Sequence, residues 1–533
     1  MTTDRADPVL IAGAGPVGLL TALLLARWDI PSVVLEAAPA PAGAGSRAIC
    51  FQRDVLDIFD RAGCAAPMIA EGVTWTTGRT YYRDAELFSV TFGAPGDGAL
   101  PPWINISQAS VERYLLDRAA AEPLTDLRFG QPVTKVDPDA DGVTVQAGDG
   151  PGAASVRGSH LVGADGSRSA VRRLLGIAFP GRSFDDRFLI CDIRAGLPFP
   201  SERRFFFDPA WNPGRQVLVH QCPDGVWRID WQVAAGFDLA AERASGGLDA
   251  RVRQITGDQP YEIVWATAYR FHERVAETLG TGRVFLAGDA AHLYAPFGAR
   301  GLNSGAQDAD NLAWKLAFVR HGWAPPALLA SYQAERAAAA RENLKVTSAT
   351  MDFLVPQTPE RRRHRAEVLN RALTDPAARA QIDSGKLAEP YWYTASPLTT
   401  PGPAVPGGFP DAAGAARPPV PGVICPDGPV TPVRPDGRIR RLRQLLGGEF
   451  VLLTQEPVTA DAALRTAREA IAAPVSAYAL ASIDSSGAVR RALAATSSSV
   501  HVIRPDGHLA AVLPELEPGA LARALTRATG RPG

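Results

Sequence analysis

Lysine is scarce in this sequence: only Lys135, Lys315, Lys345 and Lys386 stand among 55 basic residues. Arginine supplies the rest, and the skew reads as coding bias, not chemistry. Cysteine is sparse and scattered. Cys50, Cys64, Cys191, Cys222 and Cys425 form no CxxC pair, and no Cys/His cluster has zinc spacing. Neither a vicinal dithiol nor a metal site is therefore expected. An odd number of widely spaced thiols in a long chain fits a reducing, cytoplasmic compartment. Net charge is nearly absent, at −1, which removes the global field that draws a protein to nucleic acid or to an anionic membrane. The apolar stretch from Val9 to Leu35 is long enough to raise the question of a membrane span, but three glycines, Pro16, Arg27 and Asp29 interrupt it. The first residues show no basic region leading into an apolar run with a cleavage site, so no export signal is expected.

What is present is a large globular chain of 533 residues, 46% hydrophobic and 21% charged. That length predicts roughly two to four domains. Val9–Ala12 reads as a short strand, 15–28 as a helix and 32–36 as a second strand, a βαβ unit. Arg47 to Ala62 and Val111 to Ala121 read as helices. Between about Phe184 and Tyr269, apolar and polar residues alternate, as in Gln216–His220 and Val226–Val233, which predicts a mostly antiparallel sheet inserted into the nucleotide-binding fold. Another strand is expected at Arg283–Ala287, with helices from about Ser304 past Phe318 and over 328–350. Twelve prolines fall in the 39 residues from Pro397 to Pro435, too many for regular helix or central strand, and this stretch predicts a linker. Beyond it, Phe450–Thr454, Ala460–Ala472, His501–Arg504 and Pro518–Thr529 outline a small α/β module.

Gly13-Ala14-Gly15-Pro16-Val17-Gly18 follows the first strand and opens the first helix. The first glycine allows the tight turn, the second lets a pyrophosphate approach the backbone, and the third lets helix and strand pack closely. The helix N-terminus offers amides and a positive dipole end to phosphate. Glu36 ends the second strand, where a carboxylate reaches a ribose hydroxyl. This motif alone does not separate NAD from FAD. A second segment does: the strand ending in Gly288-Asp289 some 250 residues downstream, followed by Pro296-Phe297-Gly298-Ala299-Arg300-Gly301-Leu302-Asn303 and a helix start. A plain NAD site leaves it unexplained, whereas Asp289 suits ribityl hydroxyls and the helix after Gly301 suits the negative side of a reduced flavin. Gly163-Ala164-Asp165-Gly166-Ser167-Arg168 lies between the two, and by itself is a turn after an apolar strand.

In this order and spacing the three segments resemble the single-component FAD-dependent aromatic hydroxylases, the para-hydroxybenzoate hydroxylase class, and within it the phenol and hydroxyphenylpropionate hydroxylase-like enzymes. Ser46-Arg47-Ala48, Gln108 with Val111-Glu112-Arg113, and Asp310-Asn311-Leu312-Ala313-Trp314-Lys315-Leu316 add to the match. The tail Ile503-Arg504-Pro505-Asp506-Gly507-His508 resembles the thioredoxin-like C-terminal domain of the larger members, which without a CxxC is expected to be redox-inert.

The resemblance implies an α/β fold. A Rossmann-like FAD-binding domain would span residues 1–180 and 270–395, with a substrate-binding β-sheet domain over 181–269. A Pro-rich linker (396–435) and a thioredoxin-like domain (436–533) would follow. It implies that Gly13, Gly15, Pro16, Gly18 and Glu36 hold the ADP half of FAD, that Arg47 and Gln108 reach the pyrophosphate and ribityl region, and that Val133 lines the adenine side. Gly288, Asp289, Pro296, Gly301, Leu302 and Asn303 would complete the flavin site, and Asp165 would link flavin and NAD(P)H binding. No second Rossmann unit exists for NADH or NADPH, which fits a transient visit. The implied reaction reduces FAD with NAD(P)H, adds O2, and delivers hydroxyl from a flavin hydroperoxide to an electron-rich aromatic substrate. No membrane or nucleic-acid partner is implied, and a homodimer stays open.

One departure is Arg300: Ala299-Arg300 stands where many relatives carry Gly-Gln. It is either a cation beside the flavin pocket or a surface or ion-paired arginine. His220 and His272 are candidates for deprotonating a phenol, or structural histidines. Phe205–Phe207, Trp211, Trp227, Trp231 and Tyr269 can wall an aromatic pocket, with Phe207, Trp231, Tyr269 and Pro296 the named choices, or can be plain core. The nearest rival is a halogenase- or epoxidase-like FAD enzyme acting on a larger polycyclic substrate. The halogenase WxWxIP segment is not matched by Trp227-Arg228-Ile229-Asp230-Trp231, and the Baeyer–Villiger FxGxxxHxxxW segment is absent.

Overall fold

The computed structural model describes residues 7–41, 48–93, 99–148, 153–405, 407–410, 413–414, 416–431 and 440–532. Arg47, expected at the pyrophosphate, lies outside them.

The first unit is built on a six-stranded sheet. Its order is Gly280–Thr281, Val284–Leu286, His160–Gly163, Val9–Ala12, Ser32–Leu35, Thr125–Arg128. All neighbours are parallel except the first pair. Parallel strands are covered on both faces, which is why Val9–Ala12 and Ser32–Leu35 are fully buried and read as unbroken apolar runs. Helix Pro16–Ala26 lies on one face, with Pro16 at its first turn where no backbone donor is needed. Helix Gly301–Arg320 packs against it.

The second sheet has eight strands, ordered His292–Leu293, Tyr261–Val275, Gly181–Ala195, Val226–Val233, Gln216–Gln221, Arg203–Phe207, Thr77–Tyr82, Ala85–Thr91. It is antiparallel except where Arg203–Phe207 runs parallel to Thr77–Tyr82. The inserted sheet is thus larger than residues 181–269. It takes a hairpin from residues 77–91 and a short strand at 292–293, contributions that only long-range pairing reveals. Two short helices, Leu239–Ala244 and Gly247–Thr256, also interrupt the expected strand run. Helix Arg53–Arg61 is shorter than expected because Cys50–Gln52 pairs with Trp103–Asn105 as strand.

Among the described residues, Pro397 to Pro435 carries no helix and no multi-residue strand. It is nonetheless anchored: Arg417 donates to both Asp54 carboxylate oxygens at 2.8 and 2.7 Å. The C-terminal sheet orders Val475–Ala479, Phe450–Thr454, Val500–Ile503, Leu509–Leu513, with only the first pair parallel. Its Phe450 packs edge-on to Trp314 and Phe318 of helix Gly301–Arg320, so one apolar core runs through both units. Among the described residues, no helix is long and apolar enough to cross a membrane.

Candidate active site

The glycine turn is shaped by steric exclusion. Gly13 has φ +102, and a β-carbon there would lie 2.6 Å from the Ala164 carbonyl oxygen; one at Gly18 would lie 2.0 Å from the Gly13 carbonyl oxygen. Strand, turn and helix can close this tightly only with hydrogen at both places. Among the described residues nothing lies within 4 Å of a β-carbon built at Gly15, leaving that backbone open to a ligand. The Glu36 carboxylate accepts from the Ala14 amide at 2.7 Å and the Ala38 amide at 2.8 Å, which holds it against the turn. The Gln131 amide donates to the Glu36 carbonyl at 2.8 Å, bringing the segment that leads into Val133 alongside. Gln108 accepts from the Ala48 amide at 3.0 Å and donates to Glu112 at 2.8 Å. An open backbone at a helix N-terminus with a carboxylate one strand away fits the ADP half of a dinucleotide.

The Gly288-Asp289 turn rests on a buried ionic group. Asp308 accepts from the Gly288 amide at 2.9 Å, from His292 Nε2 at 2.7 Å and from Arg336 Nε at 2.6 Å. The three side chains are at most 1% exposed, and the neighbouring His292 and Arg336 lead the effects that hold the Asp308 carboxyl below its ordinary range against the cost of burial. Asp289 itself is only partly buried on this turn. Asn303 donates to the Cys50 and Ala299 carbonyls at 2.9 and 2.6 Å and accepts from the Gln52 amide, locking the start of helix Gly301–Arg320 to strand Cys50–Gln52. Among the described residues nothing lies within 4 Å of a β-carbon built at Gly301, and Leu302 beside it is partly buried. Asp165 has a local duty: one oxygen accepts from the Ala170 and Val171 amides at 2.7 and 3.0 Å, capping helix Ala170–Leu174.

Between these elements and the eight-stranded sheet lies the inward face of that sheet. Cross-strand pairing orders it into rows. One row runs Phe207, Gln216, then Gln232, Phe188 and Tyr269; the next runs Phe205, Leu218, Asp230, Ile190 and Thr267. Phe297 packs onto this face, with ring centroids 5.3 Å from Phe188 and 6.1 Å from Phe205, and the neighbouring Pro296 is exposed. Phe207 and Tyr269 therefore share a face, although Phe207 lies beneath Phe353 of helix Ala330–Leu354. Trp231 does not join them. It pairs with Leu189 and Val217 in the alternate rows and packs with Leu248 and Val252 on the outer face. The expectation that it walls the same pocket is corrected: adjacent strand residues point to opposite faces.

His220 reaches the inward face. It is buried, with Nδ1 3.4 Å from Asn105 Nδ2 and its ring 6.1 Å from Trp75. Burial, with Arg203 and Arg228 nearby, pushes its pKa well below the usual value, so it is neutral. A histidine that resists protonation is a poor general base. His272 lies elsewhere, hydrogen-bonded to Ser183 at 2.7 Å.

Sequence reasoning missed the polar interior around His220. Arg228 binds both Asp192 oxygens at 2.7 Å. Asn105 accepts from Trp75 Nε1 at 2.8 Å and donates to the Gln221 carbonyl at 2.8 Å. Trp75 and Trp103 stack at 5.5 Å. The available signal was Arg228 and Asp230 alternating with bulky apolar residues, a strand whose polar side is also buried.

Arg300 is not a surface residue: it is 1% exposed. It donates to Asn343 Oδ1 at 2.6 Å and to the Lys386 carbonyl at 3.0 Å. Gly298, with φ +95, lies so close to that carbonyl that a β-carbon would sit 2.2 Å from it. Arg300 thus fastens the Pro296–Gly301 loop to residues 385–388. Arg300→Gln shortens the side chain and removes its charge. We expect FAD retention with flavin reduction by NAD(P)H, or substrate binding, weakened roughly tenfold, about the worth of one charge-assisted hydrogen bond. Stopped-flow rates and substrate affinities within about twofold of wild type would leave Arg300 a passive brace.

The open glycine turn, the Gly288-Asp289 turn and the enclosed sheet face together define a flavin-dinucleotide enzyme. The chain belongs to the family described as FAD binding domain, matched over residues 6–347, and its residues 418–532 match the C-terminal domain of aromatic-ring hydroxylases. It is an FAD-dependent monooxygenase of that family. It is 35% identical to dialkyldecalin synthase of Streptomyces rugosporus over 62% of this chain and 70% of that protein. It is 32% identical to 3-(3-hydroxy-phenyl)propionate/3-hydroxycinnamic acid hydroxylase of Paraburkholderia xenovorans over 66% of this chain, spanning only 56% of that protein's length. The crystal structure of the flavin-dependent monooxygenase PieE in complex with FAD and substrate superposes with a TM-score of 0.83 at 25% identity, covering 100% of both chains.

Proposed function

We propose that this protein hydroxylates an electron-rich aromatic ring, a phenol in the simplest case, with NADH or NADPH as reductant and O2 as oxygen donor. The observation that carries this reading is the inward sheet face, where an aromatic wall at Phe188, Phe205 and Phe297 meets the buried polar group around Arg228 and Asp230. Such a face takes a flat apolar ring and fixes its polar substituent. FAD would lie between the Gly13–Gly18 turn with Glu36 and the Gly288–Asn303 segment, with Gln108 and Val133 flanking it and Asp289 toward the ribityl chain. Bound FAD supplies the redox chemistry. The chain's own residues orient the ring and exclude water, and they manage the substrate's proton. The C-terminal unit is read as thioredoxin-like and redox-inert, since the segment from about residue 415 onward holds only Cys425, which is buried.

NAD(P)H oxidation by the purified protein across a panel of phenols, with flavin identification and product mass, tests the reading. We expect FAD on denaturation and a product heavier by one oxygen. FMN, or NAD(P)H oxidation yielding only peroxide with every phenol, would overturn it. A second reading, oxidative tailoring of a larger polycyclic substrate, is favoured by the relative named as a decalin synthase. It predicts turnover of polycyclic but not single-ring phenols in the same assay.

A further inference from the structure

The inward face holds one carboxyl group with no visible task. Asp230 lies on strand Val226–Val233, flanked across the sheet by Leu218 and Ile190. Among the described residues its buried Oδ1 has no hydrogen-bond partner. The residue keeps some accessible surface although it sits deep inside the protein, on the same sheet face as Phe188 and Phe205. The adjacent cation does not claim it, because the Arg228 guanidinium is engaged in a two-pronged pair with Asp192. The cleft side is set by Phe297, which packs on the neighbouring Phe205 and Phe188. It is set also by Cys50, near enough for the Asp230 charge to act on its thiol and tied through its carbonyl to Asn303. A carboxyl left unpaired in such a place costs stability unless a ligand completes it.

We propose that Asp230 receives the phenolic proton of the substrate. The proton moves from the ring hydroxyl to the carboxylate, the O–H electron pair stays on the phenol oxygen, and the ring gains the electron density that electrophilic hydroxylation requires. The assignment rests on the hydroxylase reading above, and it transfers to Asp230 the task that His220 cannot perform.

The charged and titratable groups around Asp230 support this. Arg228 and Asp192 act on it directly; Cys222 and Cys50 are held protonated by burial; His220 is neutral; Arg203 lies two residues before Phe205 on the same face. Burial pushes the Asp230 carboxyl up to about 7, with Arg228 only partly offsetting it. A base of that strength is half ionised near neutral pH and well matched to a phenol.

The test uses FAD-loaded wild type, Asp230→Asn and Asp230→Glu with a panel of phenols and their O-methyl ethers, across pH 5.5–9. Two quantities are followed: kcat/KM, and phenol affinity from the change in flavin absorbance. In wild type, both should fall as the pH drops below about 7, because protonation removes the acceptor. In Asp230→Asn with unchanged FAD content, kcat/KM should fall roughly hundredfold, the usual worth of a positioned base, and both acid limbs should vanish. Asp230→Glu should keep an acid limb. O-methyl ethers should bind without pH dependence. An acid limb that persists unchanged in Asp230→Asn, with turnover within about threefold of wild type, overturns the inference and leaves the hydroxylase reading intact. Absence of any hydroxylated product from wild type overturns both.

Discussion

Glu335→Ala should remove roughly 3–5 kcal/mol of stability, the usual result of breaking a buried ion pair on one side. The Glu335 carboxylate is 0% exposed and faces Arg504 and Lys315, both also 0% exposed. Lys315 donates to it at 2.6 Å, Arg504 Nη2 at 3.0 Å and Asn311 at 2.7 Å, while Asp506 holds the other side of Arg504. Without Glu335, two buried cations face each other with a single anion between them. Because Arg504 and Asp506 belong to the C-terminal unit and Lys315 to helix Gly301–Arg320, the loss should appear as early loosening of that unit. Denaturant unfolding and limited proteolysis measure it; a loss under about 1 kcal/mol would mean the network contributes little. The pH dependence has a definite sign. Arg504 leads the neighbours that hold the Glu335 carboxyl below its usual 4.5 against burial. Its contribution is therefore complete above that value and lost as pH falls below it. Glu335→Ala should partly flatten the acid arm of the stability curve, because one carboxylate of the network is gone while Asp506 remains to be protonated.

Asp308→Ala should strip the protein of FAD. Asp308 is the common acceptor for the Gly288 amide, His292 and Arg336, so its removal frees the turn that presents Asp289 and leaves a buried guanidinium uncompensated. Arg336 keeps Ser304 and Tyr393, which should let the chain fold at reduced stability. We expect FAD affinity to fall at least tenfold, about 1.4 kcal/mol or more, with a lower melting temperature that added FAD only partly restores. Asp308→Asn keeps the volume and offers one acceptor oxygen, so its loss should be intermediate. Flavin retained after desalting, with an FAD titration, measures both. Full retention by Asp308→Ala would show that the turn is held by its backbone alone.

Much of the backbone geometry of the proposed cofactor region was readable along the chain. The Gly13–Gly18 turn, Glu36 at a strand end and the Gly288-Asp289 turn each show in a short run of residues, as glycines with positive φ or a strand that stops, although the groups that exclude a β-carbon at Gly13 and Gly288 are the distant Ala164 and Val17. The same holds for the proline-dense connection, where missing amide donors forbid regular structure. The Asp310–Leu316 and Ile503–His508 motifs were visible too, but not that they meet. Asn311, Lys315, Glu335, Arg504 and Asp506 converge across up to 195 positions.

Residue alternation separated the two faces of the strand Val226–Val233, yet nothing local said which face turns toward the flavin segments. That choice places Trp231 outside and Asp230 inside. It is made by Phe297 packing on one side and helix Gly247–Thr256 on the other. The hairpin at residues 77–91 joins the sheet because the strand Arg203–Phe207 offers it an edge, and the burial of Arg300 follows from a carbonyl 86 residues away. Local backbone preference is written in neighbouring residues, whereas facing, edge pairing and the partner of a buried charge are settled only when distant segments compete for the same space.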